Sequence, residues 1–405
     1  MECVGLCEFV LNLGVADPGL ARFIGLLIGV LLVSGIPLLT VVFLILLERK
    51  IAARIQDRIG PNRVGPYGLF QTVADLLKLL AKESITPAAA DRLLYNAAPI
   101  ISFMSVVLIW AVVPFAYSPN PPGALVGVDL ADGALYFIAV ASLGTLAIMT
   151  AGWASNNKYA LLGAFRVVAL LVSYEIPLVF ALVIPVMLAG SMSMVDIIYA
   201  QSSMWFIFMA PLAAVLFFIS SQAETGRAPF DLIEAESELV AGFNIEYSGM
   251  KFGMFFAGEF LHVFTNGILM AVLFMGGFLG IGYQIAPIGF LWLGLKGLLV
   301  YFVFLWLRNT VPRLRIDHVM SFNWFFLVPV SIINVLATAL ILKLMQVASL
   351  APTNFAEASL LEVLPVTIVL LLKDVVIIAV IMNRVALEGR EARLANDNLV
   401  AAAGD

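Results

Sequence analysis

Between Glu224 and Lys251 the chain carries six carboxylates, Glu224, Asp231, Glu234, Glu236, Glu238 and Glu246, against only Arg227 and Lys251. Read as a helix from Pro229, the stretch puts Asp231, Glu234 and Glu238 on one face and turns Glu236 away from it. The plain alternative is a solvated, charge-rich loop. Against it stand Phe230, Leu232, Ile233, Leu239, Val240 and Phe243, poor company for a merely solvated segment. Crowded carboxylates in partly apolar surroundings can hold and pass protons near neutral pH. A second set of ionisable groups lies inside long apolar runs: Glu175, Glu259, His262, Lys296 and the adjacent Lys373 and Asp374. Each costs at least ~2–3 kcal/mol if charged at the centre of a bilayer, so each is a candidate for function. Glu259 and His262 share a helical face. For His262 the simpler expectation is a core histidine satisfied by a backbone carbonyl.

Those groups must be positioned by membrane-spanning helices. Of the 405 residues 62% are hydrophobic and 12% charged, and the mean hydropathy of +1.05 fits no soluble class. Runs of roughly 20 apolar residues suffice to cross the hydrocarbon. Nine can be placed: Phe23–Leu47, Ala97–Tyr117, Gly133–Trp153, Gly163–Leu188, Met204–Gln222, Phe252–Ile281, Leu291–Leu307, Phe325–Val347 and Glu362–Met382. Basic residues concentrate after the first, third, fifth and seventh runs and in the tail. These are the eight from Arg49 to Arg92, Lys158, Arg166, Arg227, Lys251, Arg308, Arg313, Arg315, Arg384, Arg390 and Arg393, or 18 of 22. The positive-inside rule then predicts an all-α polytopic protein of nine helices, N-outside and C-inside. The first run lacks a basic leader and a cleavage site, so it reads as a retained span. With no repeat and no linker, residues 1–405 form one membrane domain: a core at about 23–347, a last helix at about 362–382 and a tail at 383–405.

Between the first two runs lies an amphipathic stretch, Gly68–Lys82. Leu69, Phe70, Val73, Leu76, Leu77 and Leu80 make its apolar stripe, with Gln71, Asp75, Lys78 and Lys82 opposite. It reads as a cytoplasmic-side interfacial helix, either a lipid anchor or the mouth of a cavity, with Lys78 placed to hold Asp75. Gly60-Pro61 and Gly65-Pro66 lack the Gly-Lys-Ser/Thr ending of a phosphate loop and read as turns. Cys3 and Cys7 are too few for an iron–sulfur cluster or zinc ribbon, and no His/carboxylate set has metal-ligand spacing. They fall on the outer side, where a disulfide or a frayed terminus are both open. A net charge of −5 gives no broad basic surface for nucleic acid.

Six strings resemble the H-type membrane subunit (subunit 1 in mitochondria) of respiratory complex I, the NADH-quinone oxidoreductase. They are Glu48-Arg49-Lys50, Gly60 to Pro66, Gly152 to Tyr159, Ser173-Tyr174-Glu175, Glu224 to Asp231 and Glu234 to Leu239. The resemblance implies a membrane-arm subunit that is not catalytic alone and carries no redox centre or metal. It implies a quinone cavity, for ubiquinone or menaquinone, enclosed with the 49-kDa-type and PSST-type peripheral subunits. Flavin and iron–sulfur clusters would sit in partner subunits. Further partners would be small and antiporter-like membrane-arm subunits and the lipid of the bacterial inner membrane. Carried over by position, Arg49, Asp75 and Phe243 fall near the cavity, and Arg58, Arg308 and Arg313 at its cytoplasmic rim or a subunit interface. Glu175, Glu224, Asp231, Glu234, Glu236, Glu238 and Glu259 form the proton-transfer set. Leu76, Leu170, Gly226 and His318 depart from the family pattern, on the quinone side. Two competing readings are the membrane subunit of an energy-converting hydrogenase, which needs no quinone, and a stand-alone ion transporter. The intact Gly60 to Pro66 and Ala228 to Asp231 strings favour the quinone enzyme, and a transporter would be expected to show inverted repeats.

Overall fold

The computed structural model describes residues 18–119, 123–231, 240–352 and 355–403. The protein is an all-α membrane protein in which eight helices among the described residues are long and apolar enough to cross a bilayer. In chain order the helices are α1 (Pro18–Ile55), α2 (Gln71–Ala81), α3 (Arg92–Ile109), α4 (Gly133–Ala154), α5 (Lys158–Ala189) and α6 (Met194–Tyr199). There follow α7 (Phe206–Met209), α8 (Pro211–Glu224), α9 (Gly249–Phe274), α10 (Ala286–Thr310), α11 (Ile316–Phe322), α12 (Val328–Val347) and α13 (Leu360–Ala403). A π-helical turn, Asn323–Leu327, joins α11 to α12 as one continuous span. The only strands among the described residues are the two-residue pair Ala116–Tyr117 and Ala124–Leu125.

Helix ends follow local chemistry. The Asp91 carboxylate accepts from the Leu93 and Leu94 N–H groups at 3.1 and 3.4 Å and starts α3, and Asn157 caps α5 through the Tyr159 N–H at 2.9 Å. Gly190, in the left-handed region at φ 69°, closes α5. At α13, the Glu362 carboxylate reaches back to accept from the Ser359 N–H at 3.0 Å, the carboxylate half of a capping box.

The structure differs from the sequence expectation in two elements. The fifth run is not one helix. The single turn α7 stops at Ala210, whose φ of −138° and ψ of 63° leave the helical region, and α8 restarts at Pro211. Proline lacks the N–H that would continue the ladder and pushes the residue before it out of the α region. The 14 residues of α8 rise about 21 Å, less than the ~30 Å hydrocarbon layer. The last helix, expected at 362–382, runs instead over 44 residues to Ala403, because the tail holds no proline or glycine cluster able to stop it. Helix α9 is the centre of the bundle, with 78% of its apolar window buried. Lys296 on α10 is a structural group here: its Nζ donates to the carbonyls of Met275, Gly277 and Leu279 at 2.7, 2.9 and 2.7 Å and so completes the end of α9.

Candidate functional site

A cavity of about 50 Å³ lies between α3, α4, α5, α8 and α9, lined in part by Ser102, Ser105, Thr145, Glu224, Glu259 and His262. At roughly 10–15 Å³ per water, it has room for a short file of water. Glu224 ends α8 and is 6% exposed, and its Oε2 is 3.4 Å from Asn266 Nδ2. Across it stands His262, whose Nε2 is 3.8 Å from Glu224 Oε1 and has no hydrogen-bond partner. The simpler expectation for His262, a histidine satisfied by a carbonyl, does not describe this nitrogen. Glu175, in the middle of α5, lies near Thr145 of the cavity wall and close enough to Glu224 to interact with it electrostatically. The sequence reading put Glu175 in the fourth run, Glu259 and His262 in the sixth and Glu224 in the connection between the fifth and sixth, and the fold gathers them around one small polar space.

A second cluster sits at the α1 end. Glu48 is 6% exposed and accepts from Arg227 Nη1 at 2.5 Å and from the Tyr301 hydroxyl at 3.1 Å, and it also pairs with Arg308. The Arg227 guanidinium lies 4.2 Å over the Phe260 ring. This is a carboxylate held by two arginines from distant parts of the chain. Neither Glu48 nor Arg227 stands out as a site residue from sequence. Glu48 is one member of the Glu48-Arg49-Lys50 string, and Arg227 one member of the Glu224 to Asp231 string and of the basic residues that set topology. Arg308, expected at a rim or interface, is the partner of a buried carboxylate.

Beside it, Asp75 on α2 pairs with Arg49 and accepts from Gln71 Nε2 at 3.0 Å, so Arg49 rather than Lys78 holds it. Thr72 is buried and Asp75 half-buried, while Leu69, Phe70, Val73, Leu76, Leu77 and Leu80 are exposed. Gln71, Thr72 and Asp75 thus face the protein, while the apolar stripe faces outward and Lys78 and Lys82 are exposed. Phe243 is 1% exposed in a 3₁₀ turn and meets Phe255 edge-on at 5.1 Å, within a small core with Tyr95 and Tyr247. Burial, and after it the neighbouring Tyr95, pushes the Tyr247 phenol up, so it remains a neutral donor to the Tyr95 carbonyl at 3.2 Å. Arg58 is exposed and bonds Gln56 at 2.8 Å, and Arg313 is exposed.

In the acidic connection, Asp231 is half-buried at the edge of the described residues, and Glu234, Glu236 and Glu238 lie outside them, as do Cys3 and Cys7. Glu246 is a tether: it accepts from Asn157 Nδ2 at 2.7 Å at the start of α5. Among the described residues no group of three His, Cys, Asp or Glu side chains could hold a metal ion.

Comparison with known proteins bears on this arrangement. The family model described as NADH dehydrogenase matches residues 28–339. The H-type NADH-quinone oxidoreductase subunit of Geobacillus kaustophilus is 48% identical over 323 residues, covering 80% of this chain and 94% of that protein. An H-type subunit of Geobacter metallireducens is 47% identical over 305 residues, covering 75% and 92%, and that of Dehalococcoides mccartyi 45% identical over 317 residues, covering 78% and 87%. The matched region contains α2 to α11, every residue around the cavity and the whole Glu48 cluster, so the chain belongs to the NADH dehydrogenase family represented by these H-type subunits.

Proposed function

We propose that this chain is the membrane-arm subunit of a bacterial proton-pumping NADH:quinone oxidoreductase, a multi-pass protein of the inner membrane that has no catalysis of its own. It walls the quinone cavity together with peripheral 49-kDa-type and PSST-type subunits, and it starts the proton path. Small and antiporter-like membrane-arm subunits complete its surroundings, and the flavin and iron–sulfur clusters belong to partners. The observation that carries this reading is the polar cavity in which Glu224, Glu259 and His262 meet, beside Glu175, in a chain of this family. Carboxylates at a wet cavity inside a helix bundle are the groups by which protons cross low-dielectric regions.

In this reading residues 1–405 are one membrane domain with nine crossings, N-outside and C-inside, the broken segment 206–224 being the fifth. Helix α2 lies in the cytoplasmic interface with its apolar stripe in lipid, and Arg49 and Asp75 border the quinone entrance. Phe243 backs that region from the core. Arg58 and Arg313 face the peripheral arm, and Arg308 supports it through Glu48. Glu175, Glu224, Glu259 and Asp231 carry protons, with Glu234, Glu236 and Glu238 continuing the acidic connection.

The test is Glu224→Gln and Glu175→Gln in the intact complex, in membrane vesicles. Both variants should assemble, because glutamine keeps the volume and a hydrogen-bonding side chain. Quinone-reductase turnover should fall about tenfold or more, the scale of one lost proton-transfer group. Ferricyanide reduction by the peripheral arm should be unchanged. Wild-type turnover and pumping in both variants would sink the reading.

A further inference from the structure

Helix α13 begins beyond residue 339, where the family match ends, and two of its buried side chains are ionisable. Lys373 is 8% exposed and Asp374 1%. Lys373 Nζ donates to Asn334 Oδ1 at 2.6 Å and Thr338 Oγ1 at 2.7 Å on α12, and lies 2.7 Å from Asp374 Oδ1. The other carboxylate oxygen, Asp374 Oδ2, accepts from the backbone N–H of Leu212 at 3.1 Å. Leu212 is the second residue of α8, directly after the break at Ala210. The same region grips the chain ahead of the break: Ser202 and Ser203 donate to the carbonyls of Ala356 and Ala358 at 3.3 and 2.5 Å, and Thr367 Oγ1 is 3.4 Å from Met204 Sδ.

A helix that starts inside a membrane exposes N–H groups with no intrahelical partner and a partial positive charge. Water cannot satisfy them there, so a buried carboxylate is the apt cap, and the adjacent Lys373 balances its charge. The far end of α8 carries Glu224, twelve residues on and about 18 Å along a rigid rod. Any axial slip at Leu212 therefore moves Glu224 relative to His262 and the cavity.

We propose that Lys373 and Asp374 are a positioning pair: by capping the broken start of α8 from the last helix, they set the height of Glu224 in the proton path. The proposal deepens the function proposed above and rests on Glu224 acting there. The pair works by hydrogen bonding and charge balance and passes no proton itself.

Two paired variants in the intact complex test it. K373M/D374L removes the cap, whereas K373Q/D374N removes both charges but keeps an amide oxygen for the Leu212 N–H. The measurements are assembled complex on a native gel, ferricyanide reduction, quinone-reductase turnover and protons moved per electron. K373M/D374L should assemble and reduce ferricyanide normally while quinone turnover falls about fivefold, the scale of one lost helix cap. K373Q/D374N should restore wild-type turnover, and adding Glu224→Gln to K373M/D374L should cost nothing beyond Glu224→Gln alone. Wild-type turnover in K373M/D374L overturns the proposal, as does additivity with Glu224→Gln or equal damage in K373Q/D374N, which would mark a charge-carrying role. Loss of assembled complex in K373M/D374L overturns it in favour of a purely structural role. A wild-type result for Glu224→Gln alone strikes instead at the proton-path reading, so the two failures are told apart.

Discussion

Two buried carboxylates, Glu48 and Glu224, are equally enclosed and oppositely surrounded. Glu48 has Arg227, Arg308 and the Tyr301 hydroxyl, whereas Glu224 faces the amide of Asn266 and the ring of His262. The first is matched to fixed positive charge; in the proposed function the second is the one that changes state. Glu48→Gln removes the shared partner of two arginines, and breaking a buried pair in this way costs about 3–5 kcal/mol. Membranes of this variant should contain far less assembled complex on a native gel, with turnover per remaining complex close to normal, the reverse of the pattern expected for Glu224→Gln. Glu175 and Glu259 were legible in the sequence because an acid in an apolar run is conspicuous, and Glu224 because it opens a stretch crowded with carboxylates. Glu48 was not, since its arginine partners stand 179 and 260 residues away and no local pattern pairs them.

Among the elements, the crossing of α9 and α10 shows how little space these helices leave. A methyl at Gly267 would come within 2.9 Å of the Gly297 carbonyl oxygen, and one at Gly297 within 2.3 Å of Ile268 Cδ1. Small residues permit such an approach in membrane bundles. Gly267→Ala must therefore move backbone, at a cost of about 1–3 kcal/mol. Its expected sign is a lower melting temperature of the purified complex, and an unchanged melting curve would count against a tight crossing. The apolar runs announced most helices, but not the break at Ala210. Pro37, Pro99, Pro177 and Pro185 all sit inside unbroken helices, so a proline alone did not distinguish Pro211. What differs at Pro211 is a cap supplied from 162 residues away, which hydropathy along the chain cannot register.

At the scale of the whole molecule, the basic residues make orientation a sharp prediction. In a chain carrying Cys3→Ser and Cys7→Ser, single cysteines at Met192 and Ile281 should react with an impermeant maleimide added to intact spheroplasts. A cysteine at Val240 should react only in inverted vesicles. Labelling of Met192→Cys and Val240→Cys from the same side would show that the broken segment 206–224 turns back without crossing. The length of α13 carries a practical consequence. Its 44 residues rise about 66 Å, roughly twice the ~30 Å of hydrocarbon, so about 35 Å of continuous helix runs on past the lipid. That makes the carboxyl end a stiff mast: an affinity peptide fused there would stand clear of a detergent belt, and an antibody fragment bound to it would be a fixed landmark for aligning particle images.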